Sequence, residues 1–247
     1  MNARQHEYSL SLELRQVNDA VSCIFHSLLL HRTLAKFQYQ SDTNFSLGSI
    51  GMKEVDCQSI DLTYIRVNSD ELAVKLEDDV RQFRSEVEEA SCSGSAARKT
   101  PSVGSSPTDS AIPVMSTEIE MAFYKKVHKT SLAFGWMGGS PSDEMSIWEK
   151  WKLYLNIFRV ESFDDFQRMR QSVADGVGEI VLEICSEVNQ PFYVPKMPTR
   201  SMVDDIFDTK YTDCQPFLFH VKRSSLPLMQ QRNSFTQEAF KRLRDIF

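Results

Sequence analysis

The proline-punctuated stretch between Pro195 and Val221 places the tightest limit on what this chain can fold into. Pro195 and Pro198 each lack a backbone donor and have a fixed φ, so no helix can pass through this segment. Pro216 then precedes a run in which alternate residues are apolar, and proline is tolerated at the first position of a strand. The stretch therefore predicts a rigid connector that leads into a strand. The apolar side chains expected on one side of that strand are Phe217, Phe219 and Val221.

The connector has room for one short helical turn before the strand begins. Thr199 or Ser201 can cap that turn, because a hydroxyl oxygen accepts hydrogen bonds from the free backbone N–H groups of a first turn. The apolar residues of the turn are Val203, Ile206 and Phe207.

Composition narrows the class of protein. The chain has 247 residues, enough for one domain with a long insert, and a net charge of −6, which argues against a general nucleic-acid binder. The 16 Phe residues are typical of a well-filled core or of an apolar docking surface, and core packing is favoured for most of them. The 5 Cys residues show no metal-ligand spacing and no Cys-x-x-Cys pair, which indicates a reduced intracellular compartment. We expect no signal peptide and no integral membrane segment, and hence a cytoplasmic or nuclear protein.

Periodicity predicts an α+β fold. Alternating apolar residues indicate strands, and apolar residues three or four apart indicate helices. The predicted strands lie at 7–14, 37–39, 45–50, 60–67, 118–127, 147–160 and 216–221. The predicted helices lie at 17–34, 69–89, 163–188 and 234–247. The strands at 118–127 and 147–160 are expected to pair antiparallel around the loop between them. The C-terminal helix, 234–247, has two open interpretations: packing on the domain, which we favour slightly, or docking on a partner.

Two helices carry local signals that the structure can check. Asn68 is expected to cap the second helix, with Glu71 completing a capping box. Ser162 is expected to cap the long helix that follows the second long strand. Gly176 and Gly178 interrupt that helix, each at a cost of about 1 kcal/mol relative to alanine, and close approach to a neighbouring strand would explain them.

A long insert is predicted at residues 91–117. Ser, Gly, Pro and Ala dominate there, and such a segment buries too little apolar surface to offset its ordering entropy. We expect it to be disordered within one domain that spans residues 1–247. Thr100-Pro101 and Ser106-Pro107 are candidate sites for a proline-directed kinase, although a plain linker is the simpler interpretation.

The residue types that carry catalytic chemistry occur without a catalytic pattern. No nucleophile or phosphate-loop motif is present, and the spacing of His26 and His31 does not place two ligands on one helical face. Cys57 lies beside Asp56, and an acidic neighbour raises the pKa of a thiol. The carboxylates of residues 204, 205 and 208 do not have the spacing of a calcium loop, so a solvated helix face is favoured. We expect no enzyme activity, no cofactor and no metal.

The loop at residues 128–143 is the best candidate for a functional site. It places large apolar side chains among three glycines, and these side chains either fold back onto the core or are presented to a partner. Presentation is favoured, because loops run over the surface and Trp is enriched in binding hot spots. The residues predicted to contact a partner are Phe134, Trp136 and Met137.

Several sequence words resemble the autophagy-related protein 101 family, a branch of the HORMA-domain proteins. They comprise Pro195–Thr199, the Val-Asp-x-x-Phe-Asp-Thr pattern at Val203–Thr209, the Gln-Pro pair at 215–216, several short words within Val55–Val67, and Leu-Leu-His-Arg at Leu29–Arg32. The resemblance spans most of the chain and is weakest at 91–146 and after 222. Members of the family carry an exposed Trp-x-Phe finger before Ser-Asp-Glu. This chain has Phe134-x-Trp136, in reversed order, with Met137–Pro141 inserted before that triplet.

The resemblance implies a HORMA domain, with an antiparallel sheet covered on one face by helices and a mobile C-terminal region. It implies a non-catalytic adaptor of the autophagy-initiation kinase complex, located in the cytoplasm and at the phagophore assembly site. Its main partner would be the HORMA domain of autophagy-related protein 13, bound through the long helix at 163–188 and the adjoining sheet. The aromatic loop would recruit downstream factors. The alternative is a peptide-trapping HORMA protein of checkpoint or chromosome-axis assembly, which the words at 195–209 disfavour.

Overall fold

A computed structural model describes residues 3–95, 111–128, 143–190 and 194–224. These residues form an α+β fold, as predicted, with ten strands and four α-helices. The strands are β1 (Arg4–Glu13), β2 (Thr33–Leu34), β3 (Phe37–Tyr39), β4 (Phe45–Leu47), β5 (Met52–Asp56), β6 (Thr63–Val67), β7 (Ala111–His128), β8 (Asp143–Val160), β9 (Gln215–Pro216) and β10 (Phe219–Ser224). The α-helices are α1 (Val17–His31), α2 (Asp70–Ser95), α3 (Phe163–Glu187) and α4 (Val203–Ile206).

The main sheet has the order β1-β8-β7-β10. β7 pairs antiparallel with both β8 and β10, whereas β1 runs parallel to β8, with Leu10 opposite Leu155. The expectation of mostly antiparallel strands is therefore confirmed, but the antiparallel sheet implied by the resemblance does not extend to β1. β1 and β8 are far apart in the chain, so no tight turn sets their direction, and alternation alone does not encode it.

β7 and β8 form the long antiparallel pair predicted from their alternation, each 18 residues long. Their inward residues are fully buried, with Ile119 opposite Leu153. The other face of the sheet is polar, and Lys152 Nζ lies 3.8 Å from a carboxylate oxygen of Glu118 there. This alternation leaves one face of the sheet for the helices to cover.

α1 occupies the centre of the helical layer, where it contacts both α2 and α3. No side chain of α1 is exposed, because its apolar residues surround most of the helix rather than one stripe. α3 packs on β1 and β8 through a single stripe. The buried residues of that stripe and of the cap that follows it are Met169, Val173, Ala174, Val177, Ile180, Ile184 and Val188.

Several predicted boundaries shift. α1 ends at His31, not at 34, because Thr33–Leu34 forms β2 and pairs with β9. The strand predicted from 60 begins at Thr63, and Ile60 is fully buried ahead of it. β5, which the sequence analysis did not predict, pairs with β6 along its whole length.

Two predicted caps are revised. α2 begins at Asp70, and Leu72 N donates to Ser69 Oγ at 3.4 Å, so the capping residue is Ser69 rather than Asn68. Ser162 does precede α3, but its side chain accepts no capping hydrogen bond. The first turn of α3 therefore begins without a side-chain acceptor at that position.

The predicted disordered insert at 91–117 is too long at both ends. α2 continues to Ser95, and β7 begins at Ala111, which pairs with Val160. The backbone of residues 111–117 pairs with the C-terminal part of β8, which supplies its hydrogen-bond partners. The amino-acid composition of this segment does not indicate that pairing. Residues 96–110 lie outside the described residues, as does the predicted C-terminal helix at 234–247.

The proline connector contains the predicted helical turn. A 3-10 helix over Arg200–Met202 leads into α4, and the Thr199 side chain lies 3.1 Å from Ser201 Oγ instead of capping the turn. The strand beyond it is broken into β9 and β10, and Leu218 is buried as well as both of its neighbours. The break arises because Phe217 N donates to Arg32 O and Leu218 N donates to Ile206 O, both outside the sheet.

The two glycines of α3 have different surroundings. A Cβ on Gly176 would lie 3.0 Å from Leu10 Cδ1 in β1, so the expected close approach to a strand is confirmed there. A Cβ on Gly178 would meet nothing within 4 Å among the described residues. The packing explanation for Gly178 is therefore wrong, and no contact of the described chain requires a glycine at that position.

Candidate partner-binding surfaces

The outer face of α3 combines two features that packing among the described residues does not explain. The Leu182 side chain is 72% exposed, and Gly178 lies one helical turn before it. Residues four apart in a helix share a face, so the glycine and the leucine lie side by side. A lone exposed leucine is ordinary on a protein surface, but a leucine beside a glycine lets another backbone approach closely. We call Gly178 and Leu182 the outer α3 face.

A buried ion pair fixes the C-terminal end of α3 against the rest of the domain. Arg32 follows α1 directly, and its Nε and Nη2 atoms each donate to a carboxylate oxygen of Glu149 at 2.8 Å. Both Nη atoms of Arg32 also donate to the carbonyl of Val188, at 3.2 and 3.3 Å. Both charged side chains are almost fully buried. This latch, formed by Arg32, Glu149 and the Val188 carbonyl, joins α1, β8 and the end of α3.

A second ion pair reinforces the same corner of the domain. Arg4 in β1 pairs with the carboxylate of Glu187, and its Nη1 donates to the Glu187 carbonyl at 2.9 Å. The two arginines together hold the carbonyls at the end of α3, a favourable arrangement because the C-terminus of a helix carries partial negative charge. The latch and the Arg4–Glu187 pair therefore hold the C-terminal part of α3, and with it the outer α3 face, in a fixed position on the domain.

The predicted recruiting residues Phe134, Trp136 and Met137 lie outside the described residues. The structure does describe the strands on either side of their loop, where His128 of β7 pairs with Asp143 of β8. His128 Nε2 also lies 2.8 Å from Asp205 Oδ1 in α4. The loop at 128–143 therefore emerges from the tip of the long antiparallel pair, which α4 braces.

Apolar side chains are exposed around the tip of this pair. Val127 and Met145 lie near its end, and the Met145 side chain is 62% exposed. Met202, one turn from the bracing residue Asp205, is exposed as well. The loop predicted to recruit a partner is thus flanked by further apolar surface.

Three of the five cysteines are poor nucleophiles. Burial, followed by the nearby charges of Asp19 and Asp56, raises the pKa of Cys57 to about 12. Burial likewise raises the pKa of Cys23 to about 12 and that of Cys214 to about 11. The expected effect of the acidic neighbour on Cys57 has the right direction, but burial is the larger cause. These three thiols stay protonated at neutral pH, whereas nucleophilic attack requires the thiolate form.

The acidic cluster of the connector is committed to local contacts. Asp204 accepts from Thr209 Oγ1 at 2.6 Å, and Asp208 accepts from the backbone N–H of Lys210 at 3.2 Å. Asp205 contacts His128, as described above. Within the described residues, no group of three His, Cys, Asp or Glu side chains has the arrangement of a metal site.

Comparison with known proteins identifies the family. The family profile described as Autophagy-related protein 101 matches residues 9–201. The chain is 32% identical to Autophagy-related protein 101 of Xenopus tropicalis over 221 residues, which cover 90% of this chain and 88% of the relative. The Bos taurus and Homo sapiens proteins of the same name are 32% and 31% identical over the same length and the same shares. The chain belongs to the autophagy-related protein 101 family.

The region matched by the autophagy-related protein 101 profile includes β1 from Ser9 onward, all of α3 and the loop at 128–143. It also includes Arg32 and Glu149, so the latch lies within the part of the chain common to the family profile. Sequence analysis singled out Leu29–Arg32 only as a family word and missed its ion pair. The available signal was an arginine placed directly after a helix that is apolar on nearly every side. In the described residues, no helix is long and apolar enough to cross a membrane.

Proposed function

We propose that this member of the autophagy-related protein 101 family is a non-catalytic adaptor subunit of the autophagy-initiation kinase complex. Family membership supports the role in autophagy. The proposed adaptor works by burying preformed apolar surface against other proteins and acts in the cytoplasm at the phagophore assembly site. The outer α3 face and the surface around the tip of the β7–β8 pair suit such a role, since both expose large apolar side chains such as Leu182 and Met145.

We infer that the domain has the HORMA fold. The arrangement that supports this inference is a four-stranded sheet with helices on one face, followed by a C-terminal connector that returns to the sheet edge as β10. HORMA membership is the implication of the family resemblance. The mixed sheet and the central helix α1 are compatible with it.

The main partner in this proposal is the HORMA domain of autophagy-related protein 13. The single observation that supports binding of this partner is the outer α3 face. There the exposed Leu182 lies beside Gly178, and no contact among the described residues accounts for either. A leucine that enters an apolar pocket of a partner gains about 2 kcal/mol from burial, and the adjacent glycine allows close backbone approach. The latch and the Arg4–Glu187 pair keep this face in a fixed position, which lowers the entropic cost of binding.

A second contact is proposed for the loop at 128–143. Phe134, Trp136 and Met137 would recruit downstream autophagy factors from the tip of the β7–β8 pair. The exposed apolar residues near that tip support this placement. The loop and the outer α3 face lie on different elements, so the adaptor can hold two partners at once.

Size-exclusion chromatography with light scattering tests the proposal. The purified full chain, mixed with the HORMA domain of autophagy-related protein 13, is expected to elute as a 1:1 complex. Co-purification of the full chain from cells separates the proposal from its alternative. Autophagy kinase subunits in the eluate support the adaptor role, whereas checkpoint or chromosome-axis proteins without kinase subunits would favour a peptide-trapping HORMA protein.

A further inference from the structure

The C-terminal half of α3 carries a column of carboxylates that no cation of the same helix balances. Acidic residues recur there at every fourth position, and no Lys or Arg occurs between Gln171 and Glu187. Residues four apart lie on neighbouring turns of one helix face, so their side chains form a continuous column. The members of this carboxylate column are Asp175, Glu179, Glu183 and Glu187.

The two ends of the carboxylate column have partners within the described residues, whereas its middle has none there. Glu187 pairs with Arg4 of β1, and Asp175 accepts a hydrogen bond from Gln171 Nε2 at 2.8 Å. The side chains of Glu179 and Glu183 are exposed, and neither forms an ion pair or a hydrogen bond with a described residue. The middle of the column is therefore uncompensated negative charge.

This arrangement is unfavourable for the chain on its own. Carboxylates four apart in a helix repel one another, and negative charge near the C-terminus of a helix opposes the helix dipole. No basic residue occurs in the last turn of α3 to offset either effect. α2 shows the usual alternative, since Asp78 pairs with Arg81 on the same helix and Asp79 pairs with Arg223 of β10. Charge that folding does not require indicates a role in binding.

The two uncompensated carboxylates lie on either side of Leu182. Each residue of an α-helix is rotated by about 100° from the one before it, so Glu183 lies about 100° from Leu182 in one direction and Glu179 lies about 60° from it in the other. Leu182, which is 72% exposed, and Gly178, where a Cβ would meet nothing within 4 Å among the described residues, form the apolar centre of this face. An apolar centre with a polar rim is the usual anatomy of a protein interface. The outer α3 face has this form, and its rim is negative.

A second copy of this chain is a poor occupant of the outer α3 face. A symmetric dimer brings the same surface of both chains together, so Glu179 and Glu183 would lie close to the equivalent carboxylates. Like charges that meet across an interface disfavour the complex. The net charge of −6 adds long-range repulsion between two copies. A partner with positive charge at the same positions would instead be attracted by both carboxylates.

We propose that Glu179 and Glu183 select the partner of the outer α3 face, and that this partner surrounds an apolar pocket for Leu182 with Lys or Arg side chains. The inference rests on the proposed function, because it takes the HORMA domain of autophagy-related protein 13 as the protein bound there. Opposite charges at a rim speed association and set the preference among partners, whereas the leucine at the centre supplies most of the affinity. Binding is therefore expected to depend on salt, because dissolved ions screen exposed charges.

Calorimetric titration with that HORMA domain at about 50 mM and about 500 mM NaCl tests the proposal. The unmodified chain should bind about 10-fold more tightly at the lower salt concentration. Glu179→Gln with Glu183→Gln should bind about 10-fold more weakly than the unmodified chain at the lower concentration, and about equally at the higher one. The melting temperature of this double variant should not fall, because the substitutions remove repulsion within α3.

A matched control separates the local rim from the net charge of the chain. Glu77→Gln with Glu88→Gln removes two charges from exposed positions of α2, and this variant should bind like the unmodified chain at both salt concentrations. Equal weakening in the two double variants would overturn the proposal, as would an α3 variant that binds as tightly as the unmodified chain. Either result would leave the proposed partner in place.

The same proteins test the occupant of the outer α3 face. No binding of the unmodified chain at either salt concentration would overturn the proposed partner and this inference together. Light scattering of the unmodified chain alone tests for a second copy, and a monomer is the expected result. Dimers that Leu182→Asp abolishes would place another copy of this chain on the outer α3 face and overturn the basic partner.

Discussion

α1 and α3 lie in the same helical layer, yet they differ in how the rest of the chain covers them. No side chain of α1 is exposed, since α2, α3 and β6 pack around it. α3 buries one stripe and leaves Leu182 open to solvent, beside a glycine that no described contact explains. Substitutions in α1 or in its latch should therefore change stability, whereas substitutions on the outer α3 face should change binding.

The largest effect on stability is expected from Arg32→Met. This change removes one partner of a buried ion pair and leaves the Glu149 carboxylate without its charge partner, at a cost of about 3–5 kcal/mol. The melting temperature should fall by about 10 °C. Thermal unfolding followed by circular dichroism checks this, with Arg81→Met as the exposed control. Equal melting temperatures for the two variants would mean that the latch contributes nothing.

The next largest effect is a pH dependence that arises in α1. Burial, with a smaller effect of Arg66, lowers the pKa of His26 to about 4 from its ordinary 6.5. Between these values the unfolded chain binds more protons than the folded chain, so stability falls as the pH falls through this window. His26 alone should cost about 2 kcal/mol between pH 7 and pH 5.

Denaturant unfolding at the two pH values measures this loss. Burial also lowers the pKa of His6, His31 and His220, so the whole chain is expected to lose stability in the same direction. His26→Gln isolates the contribution of His26. The free energy of unfolding of this variant should fall less between pH 7 and pH 5 than that of the unmodified chain, whatever the effect of the substitution at pH 7. An unchanged difference between the two pH values would contradict the assignment to His26.

A smaller effect of opposite sign is expected from Gly178→Ala. A Cβ at this position meets nothing within 4 Å among the described residues, so the variant should gain about 0.5–1 kcal/mol from helix propensity. If a partner backbone approaches here, the same variant should bind more weakly. Gly176→Ala is the control on the same helix, and it should gain less stability because Leu10 must move. Equal gains for both variants would remove the distinction between the two glycines.

The smallest effect on stability is expected from Trp136→Ala. If the loop at 128–143 presents this side chain to a partner, the free energy of unfolding should change by less than about 0.5 kcal/mol. Recruitment of downstream autophagy factors in a pull-down should be lost, while binding of the HORMA partner is retained. A fall of several kcal/mol in stability would instead place Trp136 in the core.

Local periodicity was sufficient to predict the elements that build the main sheet and the helices. Alternation along β1, β7 and β8 and the stripe of α3 follow from burial on one side, which leaves a direct mark on the sequence. β5 left no such mark, because Met52–Asp56 is mostly exposed on both faces and is defined by its pairing with β6. The length of α2 and the start of β7 were likewise hidden by Ser-rich composition.

Non-local contacts account for the rest of what the sequence did not predict. The direction of β1 depends on pairing with residues far along the chain, and the latch joins Arg32 to Glu149 across 117 positions. The outer α3 face could not be predicted from the sequence, because Gly176 and Gly178 look alike there. Only the structure shows that a Cβ on Gly176 would contact Leu10, whereas a Cβ on Gly178 would contact nothing among the described residues. Sequence analysis treated both glycines as packing sites.

Calorimetric titration of the full chain with the HORMA domain of autophagy-related protein 13 tests the central claim most directly. Leu182→Asp should weaken binding by about 30-fold or more, the effect of losing a hot spot of about 2 kcal/mol, and should leave the melting temperature unchanged. Val74→Asp, which alters an exposed residue of α2, should bind like the unmodified chain. Equal affinities for all three proteins would contradict the assignment of the partner to the outer α3 face.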